Sequence, residues 1–480
     1  MKEKVFSGLF WKFSERMCAQ LITFIVSIVL ARLLTPADYG GIALVNIFIA
    51  LANVLVVSGF GSALIQKEKA DDLDFTSVFY FNIVFSFLLY GLLYWAAPMI
   101  ADFYSIEILS PVLRVLGVRI PIAAVNSVQQ AYVSKNMLFK RFFWSTLFGT
   151  LLSGVVGVAM AYAGFGIWAL VAQYLTNTTT DTLVLWVTVR WRPIKQFSLS
   201  RLKSLLSFGW KLLASALLDT GYSQLRSLII GKVYKPSDLA FYDRGQQYPT
   251  LVVTNINSSI SSVLFPAIAE CQNDREKVKA MTRRAIKTSS YVMWPLMIGL
   301  AVVANPLVSL MLTDKWLPCV PYLQIACFTF GLYPIHTANL EAIKALGRSD
   351  LFLRLEIIKK VIGIAVLLFV MRQGVMAIAL SLAVTTIIGT FINAYPNTEL
   401  LGYRYLEQIG DILPSFLLAC LMGTCVYPIT LIGLSRLLTL TLQVIVGTII
   451  YIVGSKLLHL ESFDYIVGIV KPYVKKQKNM

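Results

Sequence analysis

The feature that most constrains this chain is the spacing of its apolar runs. Segments of roughly twenty residues or more, each long enough to cross ~30 Å of hydrocarbon, recur from end to end with Gly, Pro and charge clusters between them. A backbone in lipid must satisfy its own hydrogen bonds, and runs of this length do so as helices. The sequence therefore predicts an all-α integral membrane protein with fourteen transmembrane helices. They lie near 10-33, 40-64, 76-100, 109-134, 141-163, 166-189, 208-231, 239-266, 285-312, 320-346, 351-371, 374-396, 410-432 and 437-457. With 57% hydrophobic and 14% charged residues and a mean hydropathy of +0.71, a soluble globule is excluded. The first run, behind Lys2 and Lys4 and reaching Leu34, is too long for a signal peptide and lacks a small-residue cleavage site, so it reads as the first span.

A net charge of +17 raises the question of nucleic acid, and the location of the charge answers it. With the N-terminus in the cytoplasm, the inward segments collect most of the 42 basic residues. They fall in clusters at Lys2 to Arg16, Lys67 to Lys69, Lys135 to Arg141, Arg190 to Lys203, Arg275 to Lys287 and Lys344 to Lys360, then at Arg404 and in a tail from Lys456 to Lys478. This is the positive-inside pattern; it predicts two cytoplasmic termini and calls for no nucleic acid. The 6 cysteines form no CxxC pair and there are only 2 histidines, so neither a disulfide nor a metal site is expected. Arg114, Arg119, Lys211, Arg226 and Arg244 remain inside spans, where a charge is costly and marks a functional position by default.

The sequence also matches itself. Trp11-Lys12 recurs as Trp210-Lys211, ARLLTPADYG (31-40) as GKVYKPSDLA (231-240), APMIADF (97-103) as NPLVSLM (305-311), and PIAAVNSVQQ (121-130) as PIHTANLEAI (334-343). Spans 1 to 6 and 7 to 12 are thus two copies of even span number, giving two parallel six-helix lobes, 1-196 and 208-400. An amphipathic interfacial linker at 197-207 joins them, and 401-480 adds two C-terminal helices and a basic cytoplasmic tail. Paired halves with a site near the midplane are a transporter architecture.

Both copies carry polar stripes at helical spacing. In span 7 these are Lys211, Ser215, Asp219, Tyr222 and Arg226; in span 1, Lys12, Arg16, Gln20, Thr23 and Ser27. Span 8 adds Arg244 and Gln247, span 4 Arg119, Asn126 and Gln130, and span 10 Glu341 and Lys344. Stripes of this kind predict a water-filled central cavity with an excess of positive charge, suited to an anion. The candidate substrate-binding residues are Arg16, Gln20, Arg119, Gln130, Lys211, Tyr222, Arg226, Arg244, Gln247 and Lys344. Glu15, Asp219 and Glu341 are candidates for coupling transport to H+ or Na+, with no other cofactor and no catalytic residue expected. The plainer reading is structural pairing of Glu15 with Lys12 or Arg16, of Asp243 with Arg244, and of Glu341 with Lys344.

Several stretches carry a family resemblance: LARLLTPADYG (30-40), GFGSALIQK (59-67), APMIADFY (97-104), GFGIWALV (164-171), FPAIAE (265-270), KWLPCVPYLQI (315-325) and NLEAIKALGRSDLFLRLEIIKK (339-360). Together they resemble the Wzx-type flippases of O-antigen, colanic acid and teichuronic acid, in the polysaccharide transporter family of the multidrug/oligosaccharidyl-lipid/polysaccharide (MOP, MATE-like) superfamily. The resemblance implies a bacterial cytoplasmic-membrane protein that turns an undecaprenyl-pyrophosphate-linked oligosaccharide from the cytoplasmic to the outer leaflet. It also implies a cationic cavity for pyrophosphate or acidic sugars, a lateral groove for the polyprenyl tail to which spans 13 and 14 contribute, and membrane lipid and a polysaccharide polymerase as partners. A multidrug or cation antiporter of the same superfamily would show twelve spans and an anionic cavity. A polyprenyl-dependent glycosyltransferase or polymerase would need a large outer loop bearing carboxylates, whereas Asp102 and Glu107 are the only close acidic pair outside. The GRSD and TPADYG motifs read as helix ends, with Gly347 capping span 10.

Overall fold

The structure, a computed structural model, describes the backbone of residues 2–478 and the side chains of 11–468, apart from Phe208, together with Lys471. The side chains of Lys2, Lys4, Lys475, Lys476 and Lys478, counted above among the cytoplasmic charges, lie outside the described residues. No strand occurs among the described residues. Ten helical segments among them are long and apolar enough to cross a membrane.

The chain divides into two compact units, Met1–Ala240 and Phe241–Met480. Unit 1 holds α1 (Lys2–Leu33), α2 (Pro36–Gln66), α3 (Asp72–Tyr104), α4 (Leu109–Leu116), α5 (Arg119–Lys135), α6 (Phe139–Tyr162), α7 (Ile167–Thr188) and α8 (Leu199–Val233). Helix α6 lies between α1 and α7, and α2 runs against both α5 and α8. The cut between units falls within α9 (Pro236–Glu270). Unit 2 continues with α10 (Arg275–Val302), α11 (Ala304–Leu312), α12 (Val320–Gly331), α13 (Tyr333–Ala345), α14 (Ser349–Val370), α15 (Val375–Leu401), α16 (Tyr405–Val426), α17 (Arg436–Leu457) and α18 (Glu461–Lys478). Helix α10 packs against α12, α13 and α16. The expected spans outside the ten apolar segments are α7, α8, α12 with α13, and α14. Each is helical, but α7 is rich in Thr, α8 and α14 carry several charges, and the third is broken at Leu332.

The repeated TPAD and KPSD motifs are helix starts. Thr35 caps α2 in a reciprocal box: its hydroxyl accepts from the Asp38 N–H at 3.2 Å while the Asp38 carboxylate accepts from the Thr35 N–H at 2.9 Å. At the second copy the Lys235 N–H donates to Asp238 at 3.2 Å. Pro36 and Pro236 stand at the first helical position, where a missing N–H leaves no hydrogen bond unmade. Gly347, at φ 74, follows the end of α13, and the Arg348 N–H returns to the Ile343 carbonyl at 3.1 Å.

Two findings differ from the sequence reading. The segment expected as a separate interfacial linker is, from Leu199 onward, the first turns of a continuous α8. The boundary between compact units also falls later than the boundary between repeats, because α8 lies along α2 in unit 1. The two backbones nearly touch where they cross: a Cβ on Gly209 would stand 2.7 Å from the Gly59 carbonyl oxygen, so only glycine fits there. The chain leading into α8 is strapped to α3, with the Ile194 N–H donating to Thr76 at 3.1 Å and the Ser198 N–H to Ser77 at 3.0 Å. Arg201 then reaches Asp71 at 3.2 Å and the fully buried Asp74 at 3.6 Å. Beneath the strap, Phe75, Phe79, Trp191, Leu202 and Leu205 close an apolar core. Burying each such side chain contributes about 1.5–3 kcal/mol.

The two C-terminal helices are integral to unit 2. Phe416 of α16 meets Trp294 of α10 edge-on at 4.6 Å. Tyr451 of α17 donates its hydroxyl to the Tyr291 carbonyl at 2.8 Å, and the Tyr291 hydroxyl donates to Ser455 at 2.9 Å.

Candidate functional site

In unit 1 the polar chemistry gathers on α7, whose Tyr174, Thr178 and Asp181 follow one another at helical spacing on one face. Asp181 accepts from the Ser145 hydroxyl on one oxygen and from the Asn126 amide at 2.7 Å on the other. Gln130 adds a third side-chain hydrogen bond. One turn away, Arg119 donates to Thr178 at 3.0 Å and to Asn46 at 3.4 Å, with its guanidinium 5.0 Å from the Tyr174 ring centre. Glu15 lies within electrostatic reach of Asp181. It accepts from Thr146 at 3.0 Å and pairs with Lys12 at 3.4 Å. The residues around Asp181 border a cavity of about 360 Å³ whose polar wall is Asn53, Ser58, Asn126, Gln130, Thr178 and Asp181.

The structure thus brings together Glu15, Arg119 and Gln130 around a residue the sequence reading did not single out. Arg16 stands exposed on α1, and Gln20 is half-buried one turn further on.

Along α8 the predicted stripe changes character. Lys211 and Asp219 are exposed and Tyr222 is half-buried, while Arg226 is 6% exposed with its guanidinium 6.0 Å from the Tyr222 ring. Stacking on a ring replaces part of the hydration a buried guanidinium loses.

Unit 2 holds its predicted residues in separate places. Arg244, also 6% exposed, donates to Gln247 and lies 5.3 Å from the Trp316 ring. Glu341, 6% exposed, accepts from Lys344 at 2.7 Å and from Ser261 at 2.9 Å. Between α13, α15 and α16 lies a network the sequence reading did not anticipate. Asn393 and the His336 Nδ1 are 2.8 Å apart, and Asn339 is bound to both Gln408 and Asn397 at 2.7 Å. An apolar groove of about 530 Å³ runs between α10, α12 and α16, lined by Trp294, Ile298, Val302, Phe328, Phe416 and Tyr427 among others.

With this geometry in view, the relatives of the chain are informative. The teichuronic acid biosynthesis protein TuaB of Bacillus subtilis (strain 168) is 24% identical over 458 residues, covering 94% of this chain and 95% of that protein. The lipopolysaccharide biosynthesis protein WzxC of Escherichia coli (strain K12) is 23% identical over 433 residues, covering 87% of this chain and 86% of its own. Among solved structures, the lipid II flippase MurJ in an inward closed conformation superposes with a TM-score of 0.74 at 15% identity, over 94% of this chain and 99% of that one. At that identity the likeness shows a common fold. The family model described as "Polysaccharide biosynthesis protein" matches residues 29–321, more than half of the sequence. This all-helical, membrane-spanning chain with cations buried in its helices belongs to the polysaccharide biosynthesis protein family.

Proposed function

We propose that this protein is a flippase that carries an undecaprenyl-pyrophosphate-linked oligosaccharide from the cytoplasmic to the outer leaflet for cell-surface polysaccharide assembly. The observation that carries the reading is the burial of guanidinium groups, Arg226 and Arg244, in long helices of a polysaccharide biosynthesis protein. Buried cations are costly in lipid and suit a path for an anionic headgroup. Arg offers a bidentate contact to phosphate or carboxylate, Lys a looser one. Lys211 and Arg226 are ~22 Å apart along α8 at 1.5 Å rise per residue, so they cannot hold one pyrophosphate jointly; they mark the cytoplasmic and outer ends of a path. The apolar groove of unit 2 has the chemistry to lodge a polyprenyl tail. Fourteen spans in two lobes, cytoplasmic termini, a bacterial cytoplasmic membrane and a polymerase as downstream partner belong to the same proposal. In it, Glu15, Asp219 and Glu341 are candidate relays for a coupling ion.

The test replaces Lys211 and Arg226 singly with Gln, checks monodispersity in detergent, and measures glycan export. Lost export from a monodisperse protein supports the reading; unchanged export with lowered stability means the cations only brace the helices. Reporters fused after Lys478 and within 270-284 are expected inside, and those at Lys235 and Lys315 outside.

A further inference from the structure

Beyond the last expected span the chain does not end as a loose tail. Glu461–Lys478 form a further helix, α18, which lies outside the ten segments apolar enough to cross a membrane. Its apolar residues Phe463, Ile466, Val467, Val470 and Val474 recur at helical spacing, the pattern of a helix that lies along a membrane surface. The protein uses the first part of that stripe: Phe463 and Ile466 pack against the core of unit 2, whereas Val467 is 41% exposed. Charge is sorted along the helix as well. Glu461 and Asp464 stand in its first turn, and Lys471, Lys475, Lys476 and Lys478 follow. Lys471, Lys475 and Lys478 have a helical spacing of their own, offset from the apolar stripe.

Beside α18 the cations of α10 divide into two kinds. Arg283 bonds Asp411 at 2.7 Å and Lys287 bonds Glu461, so these charges are neutralised within the protein. Arg284 is exposed and makes no hydrogen bond or ion pair with a described residue; its guanidinium lies 5.0 Å from the centre of the Tyr465 ring of α18. A guanidinium held by a ring keeps its N–H donors for an acceptor. Lys456 at the end of α17 and Lys471 of α18 are exposed and without an acidic partner among the described residues. A soluble polyanion would satisfy these cations and leave the apolar stripe in water. A bilayer containing anionic phospholipid meets both, with phosphate at the headgroups and hydrocarbon below them. We propose that α18 lies in the membrane interface and binds anionic phospholipid, its lysines with Arg284 and Lys456 at headgroup phosphates and its stripe from Val467 onward against the acyl chains. The proposal requires a membrane-spanning chain and not glycan transport, so it stands apart from the flippase reading.

Hydrogen–deuterium exchange of the full-length protein tests this in nanodiscs of phosphatidylcholine alone and of phosphatidylcholine mixed with phosphatidylglycerol, with no glycan lipid present. The expected result is that amides within 467–478 exchange about tenfold more slowly in the mixed discs, while those of α17 exchange alike in both. Raising the salt shrinks the difference, because the attraction is screened. Replacing Lys471, Lys475, Lys476 and Lys478 together with Gln removes it. Val467→Asp, which keeps every cation, reduces it severalfold, whereas a soluble polyanion acting on the cations alone would be indifferent to that change. Equal exchange of the wild-type protein in the two kinds of disc, or a difference that survives the four Gln substitutions or Val467→Asp undiminished, overturns the proposal.

Discussion

Unit 1 and unit 2 solve the same packing problem in opposite ways. Helices α7 and α15 both begin after a glycine with positive φ, Gly166 at 53° and Gly374 at 113°. Counted from those glycines, Asp181 of α7 and Gly389 of α15 occupy the same place. The partner helices α5 and α13 align through their Pro-Ile and Asn positions, which sets Ala123 against His336 and Asn126 against Asn339. In unit 1 the bulk is on α7 and Ala123 lies across from it, leaving a cavity that both residues line. In unit 2 the bulk has moved to α13: a Cβ on Gly389 would stand 3.0 Å from the His336 Cε1. One unit keeps a carboxylate beside open space; the other fills that space with an imidazole fixed by Asn393. The same arrangement of helices thus leaves open space beside a carboxylate in unit 1 and fills it with an imidazole in unit 2.

If that contrast is right, the largest effect belongs to Asp181. Asp181→Asn lowers glycan export by about tenfold or more in a protein that stays monodisperse, whereas His336→Gln leaves export within about twofold. Equal losses from the two would erase the distinction between the open space and the filled one.

The ends of the two units at which Asp74 and Asp411 stand, by contrast, are alike. Asp74, fully buried, holds Lys67 at 2.6 Å and Arg201, while Asp411 holds Arg283 through two 2.7 Å bonds and accepts the Tyr403 hydroxyl at 2.7 Å. Burial, with the Asp411 carboxylate beside it, keeps the Tyr403 hydroxyl well above the usual phenol range. Asp74→Asn and Asp411→Asn are each expected to cost about 2 to 3 kcal/mol in thermal unfolding, since both leave buried charge-assisted bonds unmade. A large cost at one end and none at the other would show that the likeness is superficial.

A smaller effect probes the filled space in unit 2. Gly389→Ala forces its new methyl against His336 and costs about 1 kcal/mol or more by overpacking. The same change in a His336→Ala background costs less than half as much, and a double-mutant cycle measures the difference.

The helices were legible in the sequence because lipid imposes length and hydropathy on a span, and because capped starts such as TPAD and KPSD mark where two of them begin. Asp181 was not legible, and the reason lies in the duplication itself. The stripes on spans 1 and 7 stand out because each is answered in the other copy, while Asp181 is answered by Gly389 and so leaves no echo. What sequence did offer was the run TNTTTDT at 176–182, too polar for a helix that meets only lipid. The stripe residues do share one helix, α8, but spacing does not tell the exposed Lys211 from the buried Arg226; that depends on what packs along the helix.

The smallest effect concerns α18. Lys287, bonded to Glu461, holds that carboxyl below its ordinary value of 4.5. A depressed carboxyl contributes stability above its unfolded value and loses it as pH falls through the folded one. Glu461 is largely exposed, so the contribution is no more than about 0.5 kcal/mol. Glu461→Gln should therefore shift thermal unfolding slightly at neutral pH and not at all well below 4.5.

The central claim, that this chain moves a lipid-linked oligosaccharide between leaflets, is tested most directly in proteoliposomes. Purified protein is reconstituted with a fluorescent undecaprenyl-pyrophosphate oligosaccharide, and the fraction of label reached by a membrane-impermeant quencher is followed in time. The account predicts that vesicles containing the protein lose their protected fraction, and that those containing Arg226→Gln keep it. A protected fraction as stable with the wild-type protein as in empty vesicles, under imposed sodium and proton gradients alike, would contradict it.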